Sequence, residues 1–325
     1  MKRAVVLLLY VLAGATFTAA FATAAAAQGY PSRPVRILVG FAPGGGVDIS
    51  ARLVASKLSE YLGQQFVVEN KPGAGTNIAA VEVAKSPPDG YTLFMNSPAV
   101  VINPVLYAKP PYELRDFTGI SIFAATTNLL VVPAALEVKT AQDLVRMAKA
   151  KPGVLNYSSA GPGTTQHLAG ELFKLRTGTN IVHVPYKGSG PSMTALLASE
   201  VQLTFVNPVA AGGHVKAGKL RALAVTDAKR TELMPDVPTM KEAGIDGVEV
   251  SLWYALLAPA ATPRDIVDKL AAAVARAAKD PTTREQLRKQ GAEAVGNTSA
   301  EFNAYLKEEL ARWTEVVKVS GARVE

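Results

Sequence analysis

Three stretches of the chain combine glycine with small hydroxyl residues where an apolar run gives way to a helical one. The first is Phe41-Ala42-Pro43-Gly44-Gly45-Gly46-Val47-Asp48. Glycine has no Cβ, so backbone N–H groups can turn toward a ligand, and the helix start adds a partial positive charge. That combination suits a carboxylate or a phosphate. No Lys-Ser/Thr pair follows as in a P-loop, and the spacing is not G-x-G-x-x-G. Three glycines alone more often make only a tight turn.

The second stretch, Ser158-Ser159-Ala160-Gly161-Pro162-Gly163-Thr164-Thr165-Gln166-His167, brings two glycines, two threonines and a histidine to one helix start. It reads as a second anion cradle. A plain N-cap accounts equally well for one of the threonines, and a hydrogen bond to its own turn accounts for His167. The third is Val184-Pro185-Tyr186-Lys187-Gly188-Ser189-Gly190-Pro191, where Pro191 suits a first helical turn and Tyr186 can wall a pocket. Two shorter junctions, Asn96-Ser97-Pro98 and Val206-Asn207-Pro208, add Ser97 and Asn207.

No set of residues nominates itself for catalysis. The three histidines, His167, His183 and His214, show no metal-ligand spacing, and there is no H-E-x-x-H or G-x-S-x-G. Zero cysteines excludes a thiol nucleophile, a disulfide framework and a thiolate metal site. Asp48 is the one carboxylate within a candidate loop, and capping a helix is a sufficient job for it. The residues therefore favour binding over turnover, with no catalytic group, metal or cofactor expected.

The elements that must position these loops alternate. Strand-like runs at 35–41, 66–68, 91–95, 155–158, 181–184, 201–206 and 220–225 are separated by helix-length stretches. Such alternation predicts an α/β fold with parallel-rich sheets covered on both faces. In open α/β sheets ligands bind outside the carboxyl ends of the strands, where all five junctions fall. Thr140 with Asp143, and Thr298 with Glu301, are spaced as capping boxes, and Thr262-Pro263 starts another helix. Two apolar runs, 128–132 and 252–257, lie where the chain could cross between two lobes and return, and are expected to be hinge strands.

The first residues carry a different signal. Lys2 and Arg3 precede an unbroken apolar run at 4–12, and small residues end in Ala25-Ala26-Ala27 before Gln28. This is the pattern of a secretory signal peptide cut after Ala27. The alternative, a retained anchor, is disfavoured because the second half of the segment is Ala and Thr rather than Leu and Ile. From Gln28 on, no run approaches the roughly 18 apolar residues of a membrane helix. The net charge is +7, or +5 without Lys2 and Arg3, and the charges are dispersed. That pattern excludes a nucleic-acid footprint, which needs clustered Lys and Arg.

Several motifs together resemble one family. Tyr30-Pro31-Ser32-Arg33-Pro34-Val35-Arg36, Pro43-Gly44-Gly45-Gly46-Val47-Asp48 and Val68-Glu69-Asn70-Lys71-Pro72-Gly73-Ala74-Gly75 are similar to the opening of the Bug-type (TctC-like) substrate-binding receptors of tripartite tricarboxylate transporters. Pro88-Asp89-Gly90-Tyr91-Thr92-Leu93, Gln166-His167-Leu168-Ala169-Gly170-Glu171-Leu172 and His183-Val184-Pro185-Tyr186-Lys187-Gly188 continue the likeness. Asp236-Val237-Pro238-Thr239 carries it toward the C-terminus.

The resemblance implies a periplasmic protein with a two-lobed periplasmic binding fold, type II-like, and a ligand cleft between the lobes. The lobes are expected at 28–127 with 255–325, and at 128–254. It also implies a small organic acid as ligand, the membrane subunits of the transporter as partners, and no need for more than a monomer. By matching position, the carboxylate falls to main-chain groups near Gly44, Gly45, Gly46 and Asp48, and near Gly161, Pro162, Gly163, Thr164, Thr165 and His167. Two positions depart from the family pattern: Val47 stands where many members have Thr, and Val206-Asn207 where many have Asp-Asn. Loss of an acidic group at 206 predicts an acid without a free amino group, its body open to being apolar or aromatic. A sensor receptor, or an enzyme using the same cleft, would share this architecture.

Overall fold

The structure, a computed structural model, describes residues 29–324. The expected signal segment lies outside the described residues. β1 (Val35–Val39) runs through the first glycine loop into α1 (Gly46–Leu62), followed by β2 (Phe66–Asn70), α2 (Asn77–Ala84), β3 (Thr92–Asn96), α3 (Ala99–Leu106) and β4 (Phe117–Thr126). The middle of the chain forms β5 (Leu129–Pro133), α4 (Ala141–Ala150), β6 (Asn156–Ser159), α5 (Thr165–Thr177), β7 (Val182–Pro185), α6 (Ser189–Leu197), β8 (Leu203–Val206), α7 (Pro208–Lys216) and β9 (Leu220–Val225). It ends with β10 (Leu252–Pro259), α8 (Arg264–Lys279), α9 (Pro281–Lys289), β11 (Ala292–Ala294) and α10 (Ser299–Ser320).

These strands make two sheets, ordered β11-β4-β10-β3-β1-β2 and β7-β6-β8-β5-β9, which with their helices form the two lobes. Each sheet is mixed rather than parallel throughout. β1 lies parallel to β2 and β3, and β6 parallel to β7 and β8. β10 and β5 run antiparallel to their neighbours. The register levels the strand ends: Val39 pairs with Asn70 and Met95, and Ser159 with Pro185. The loops leaving those ends therefore start from one edge of each sheet.

The two segments expected to be hinge strands each belong to a single sheet. Residues 129–132 pair with β8 and β9, and residues 252–257, including 252–254 that were expected in the second lobe, pair with β4 and β3. Crossing happens instead in the short links around Thr127-Asn128 and Val250-Ser251. Thr226 ties the two links together: its N–H donates to the Asn128 carbonyl (2.9 Å), and its carbonyl accepts from the Val250 N–H (2.7 Å). A strand spanning the gap alone would leave its backbone groups unpaired, whereas these links are bonded on both sides.

Both expected capping boxes form, on α4 and α10. α8 buries Val267, Leu270 and Val274 at helical spacing. α10 packs on α3, β4 and α5, so it touches both lobes, and it buries Trp313 completely. Truncating such a buried aromatic costs about 3–5 kcal/mol. Trp313 thus sits in a core cluster with members from both lobes.

Candidate functional site

On the first lobe, the loop between β1 and α1 is braced from behind. Gly44 has φ +85°, in the left-handed region that glycine tolerates. Its N–H donates to Asp48 Oδ2 (2.9 Å), while Asn70 Nδ2 donates to Asp48 Oδ1 (2.8 Å) and to the Phe41 carbonyl (3.1 Å). Arg52 grips the same carboxylate at 3.1 and 2.9 Å. Burial alone would raise the Asp48 carboxyl, but hydrogen bonds from Arg52, Gly44 and Asn70 outweigh it and hold it below the usual range. Asp48 is buried in these contacts and does not line the cleft. Its role is to fix the loop.

On the second lobe, the loop between β6 and α5 is braced without any net charge. Ser159 Oγ lies 2.7 Å from His183 Nε2, and the Gly161 N–H donates to the same hydroxyl (3.1 Å). Thr164 Oγ1 donates to the Gly161 carbonyl (2.7 Å) and caps α5 by accepting the His167 N–H (3.3 Å). His167 Nδ1 accepts the Gly163 N–H (3.3 Å), and its ring stacks on His183 at 4.3 Å. Burial, with Lys174 nearby, pushes His167 down to about 4. Burial, reinforced by His167, pushes His183 down to about 3. Both rings are neutral at pH 7, so each can present the lone pair its neighbour needs. Gln166 completes the brace, accepting the Ala160 N–H (2.6 Å) and donating to Ser189 Oγ (3.0 Å) at the start of α6.

Between the loops lies a cavity. Of the residues expected there, Gly45, Gly46, Ser97, Thr164, Thr165 and Asn207 line it. Gly44 lines an adjoining chamber instead. Gly161, Pro162 and Tyr186 line a separate recess between the lobes, facing Gly73, Ala74 and Gly75. A Cβ on Gly75 would stand 2.4 Å from the Pro162 carbonyl oxygen, and one on Gly163 would stand 1.8 Å from Asn103 Oδ1. These glycines are where the lobes touch, which is why Gly163 does not reach the cavity. His167 is likewise behind the wall, in the stacked pair.

Three cavity residues with polar side chains, Gln166, Ser189 and Tyr254, escape sequence reasoning. Gln166 hides between Thr165 and His167, and Ser189 in the third glycine stretch. Tyr254 had no signal, because it sits in an apolar strand that reads only as core. Its hydroxyl lies 2.2 Å from where a Cβ on Gly46 would be, so residue 46 must be glycine for the tyrosine to stand there. Burial raises the Tyr254 hydroxyl, an Asn207 hydrogen bond opposes that, and the group remains a neutral donor.

The cavity is ringed by helix starts. α1, α5, α6 and α7 begin at Gly46, Thr165, Ser189 and Pro208, and α3 begins just after Ser97. First-turn N–H groups have no partner within their own helix, and the dipole makes them favourable to an anion. The described residues lining the cavity include no Asp, Glu, Lys, Arg or His. Such a site can hold an anion by dipoles and hydroxyls from both lobes at once. Among the described residues no group of His, Cys, Asp or Glu is placed to hold a metal, and no helix is long and apolar enough to cross a membrane.

Comparison with known proteins gives the chain a family and agrees with its fold. The family described as "Tripartite tricarboxylate transporter family receptor" matches residues 50–322. Protein BugT of Bordetella pertussis is 36% identical over 311 residues, 95% of each chain. The solved structure of R. palustris Rpa4515 with adipate is 40% identical, with a TM-score of 0.86 over 91% of this chain and 100% of its own. MatC (Rpa3494) from Rhodopseudomonas palustris with bound malate is 32% identical, with a TM-score of 0.83 over 89% and 100%. Matched along most of its length by family, sequence and fold, this chain belongs to the tripartite tricarboxylate transporter receptor family.

Proposed function

We propose that this protein is an exported receptor that closes on a small organic acid in the periplasm and delivers it to the membrane subunits of a tripartite transporter. The observation that carries the reading is the convergence of helix N-termini from both lobes on one cavity whose described lining has no Asp, Glu, Lys, Arg or His. The ligand's carboxylate takes N–H groups from the first turns of α1 and α5, with Ser97, Thr164, Thr165 and Asn207 as hydroxyl and amide partners. Contacts from both lobes exist together only when the cleft is shut, so the acid favours the closed state by the difference. The ligand-bound relatives support a carboxylate, since one holds adipate and another malate. With no acidic side chain among the described residues of the cavity wall, an ammonium group has no charged partner, which favours acids lacking a free amine.

The test is a thermal-shift screen of refolded, ligand-free protein against mono-, di-, tri- and aromatic carboxylates, each beside its α-amino analogue. A ligand at about 100 times its Kd adds roughly 2.7 kcal/mol. At about 2–4 °C per kcal/mol, that is a rise of roughly 5–10 °C. A shift with one acid, recovered chemically unchanged, supports the receptor. Conversion of the acid makes the protein an enzyme, a stronger shift with the amino analogue overturns the amine rule, and silence across the panel removes the carboxylate.

A further inference from the structure

We infer that the turn at residues 73–76 and Asn103 form a stop that sets how far the lobes close, and so govern affinity without touching the ligand. The affinity part of this inference rests on the receptor reading. Three consecutive residues of the turn lie in the left-handed region: Ala74 (φ +46°), Gly75 (φ +62°) and Thr76 (φ +82°). For the alanine and the threonine this is strained, and such strain persists only where the surroundings impose it. Here three side chains of the first lobe impose it. Tyr107 Oη donates to the Ala74 carbonyl (3.1 Å), Asn103 Nδ2 to the Gly75 carbonyl (2.6 Å) and Asn96 Nδ2 to Thr76 Oγ1 (3.3 Å).

What the strain achieves is an approach of backbone to backbone between the lobes. A Cβ on Gly75 would stand 2.4 Å from the Pro162 carbonyl oxygen of the second lobe. Asn103 makes the matching contact. Its Oδ1 accepts no hydrogen bond among the described residues and lies 1.8 Å from where a Cβ on Gly163 would be. The amide cannot swing aside, because it is buried and its nitrogen holds both the Gly75 carbonyl and Asn77 Oδ1 (2.7 Å). A glycine Cα–H can meet an amide oxygen closely, whereas a methyl group at that spot would hold the lobes apart. Gly75, Asn103, Pro162 and Gly163 do not line the central cavity, but Thr164 and Thr165, the next residues after Gly163, do. The stop therefore fixes the second cradle loop against the first lobe, and its members are positioning residues. A receptor held short of closure binds with an affinity reduced by the fraction of closure-competent molecules, which is one factor for every ligand.

The experiment compares matched alanine substitutions by calorimetry with adipate, malate and benzoate. Gly75→Ala and Gly163→Ala, one on each lobe, add a methyl group at the stop. Gly178→Ala (φ +62°) and Gly63→Ala (φ +71°), also one on each lobe, impose the same backbone strain at helix ends where a Cβ meets nothing within 4 Å. The stop variants should lose at least tenfold in affinity, by one factor for each acid that wild type binds, and should remain more open than wild type in solution scattering at saturating acid. The two controls should lose stability and keep the wild-type affinity. Melting curves report which variants are folded, and either stop variant suffices. Wild-type affinity in a folded stop variant, an equal loss in the controls, or a loss that differs between acids overturns the stop and leaves the receptor intact. If wild type binds none of the three acids, the carboxylate receptor fails separately and the stop is read on the free proteins: a larger radius of gyration in the stop variants alone supports it, and an unchanged one overturns it.

Discussion

Residues 41–48 and residues 159–167 each carry a strand into a helix at the edge of the cleft, and each is stiffened from behind. The first is held by an ionised carboxylate, Asp48, which gathers Gly44, Asn70 and Arg52. The second is held by neutral groups, with Ser159, Thr164 and Gln166 bonding the loop and the His167–His183 stack behind them. Both leave helix-start N–H groups free to face the cavity. The difference is in what each loop needs from the solvent: one must keep a charge, the other must avoid acquiring one.

Acid separates the two most strongly. His167 and His183 have folded pKa values of about 4 and about 3, below the ordinary value of 6.5. The unfolded chain then binds more protons than the folded one, so their contribution to stability is complete above about pH 6.5 and is lost as pH falls toward 4. Each histidine can cost up to about 1.4 kcal/mol per pH unit in that window. Chemical unfolding at pH 7.5 and pH 4.5 should show a loss of several kcal/mol. Asp48, held below the usual carboxylate range, stays ionised throughout this window, and its contribution is lost only at lower pH. Unfolding free energies that are flat from pH 7.5 to 4.5 would end the contrast.

Asp48→Ala should produce the next largest change. It leaves the Gly44 N–H without its side-chain acceptor and the Asn70 amide with only the Phe41 carbonyl, at about 2–3 kcal/mol, and should loosen the cradle enough to lower ligand affinity at least tenfold. Denaturant midpoints and calorimetric Kd values check the two effects separately. Thr164→Ala removes the α5 cap and its bond to Gly161, at about 1 kcal/mol. Arg52→Ala should matter least, about 0.5–1 kcal/mol and salt-dependent, because the Arg52 side chain is 52% exposed. An Arg52 effect as large as that of Asp48 would mean that the ion pair, not the hydrogen bonds, holds the first loop.

Local signals were legible in the sequence wherever a single segment decides the structure. The capping residues Thr140, Asp143, Thr298 and Glu301 did what their spacing announced, and the glycine stretches fell at strand ends facing the cleft. Side-chain direction was not legible. Asp48 suits a ligand site and a buried brace equally by type, and only the positions of Asn70 and Arg52 settle that it points backward. The His167–His183 stack depends on β6 lying parallel to β7, with Tyr157 opposite His183, a register no local pattern encodes. The antiparallel β5 and β10 were equally hidden, because a strand buried on both faces reads as an apolar run whichever way it pairs. Tyr254 lay inside one of those runs.

The absence of Asp, Glu, Lys, Arg and His from the cavity wall has a consequence for protons near neutral pH, where the Tyr254 hydroxyl keeps its proton. An acid bound only by amides, hydroxyls and helix ends arrives as its anion and leaves the protonation of its surroundings untouched. Its heat of binding near neutral pH should then be the same in buffers of very different ionisation enthalpy. No protein cation is titrated or displaced to cancel the incoming charge. An occupied receptor therefore carries one more negative charge than an empty one for every carboxylate it holds, and the two should separate by mobility in a native gel.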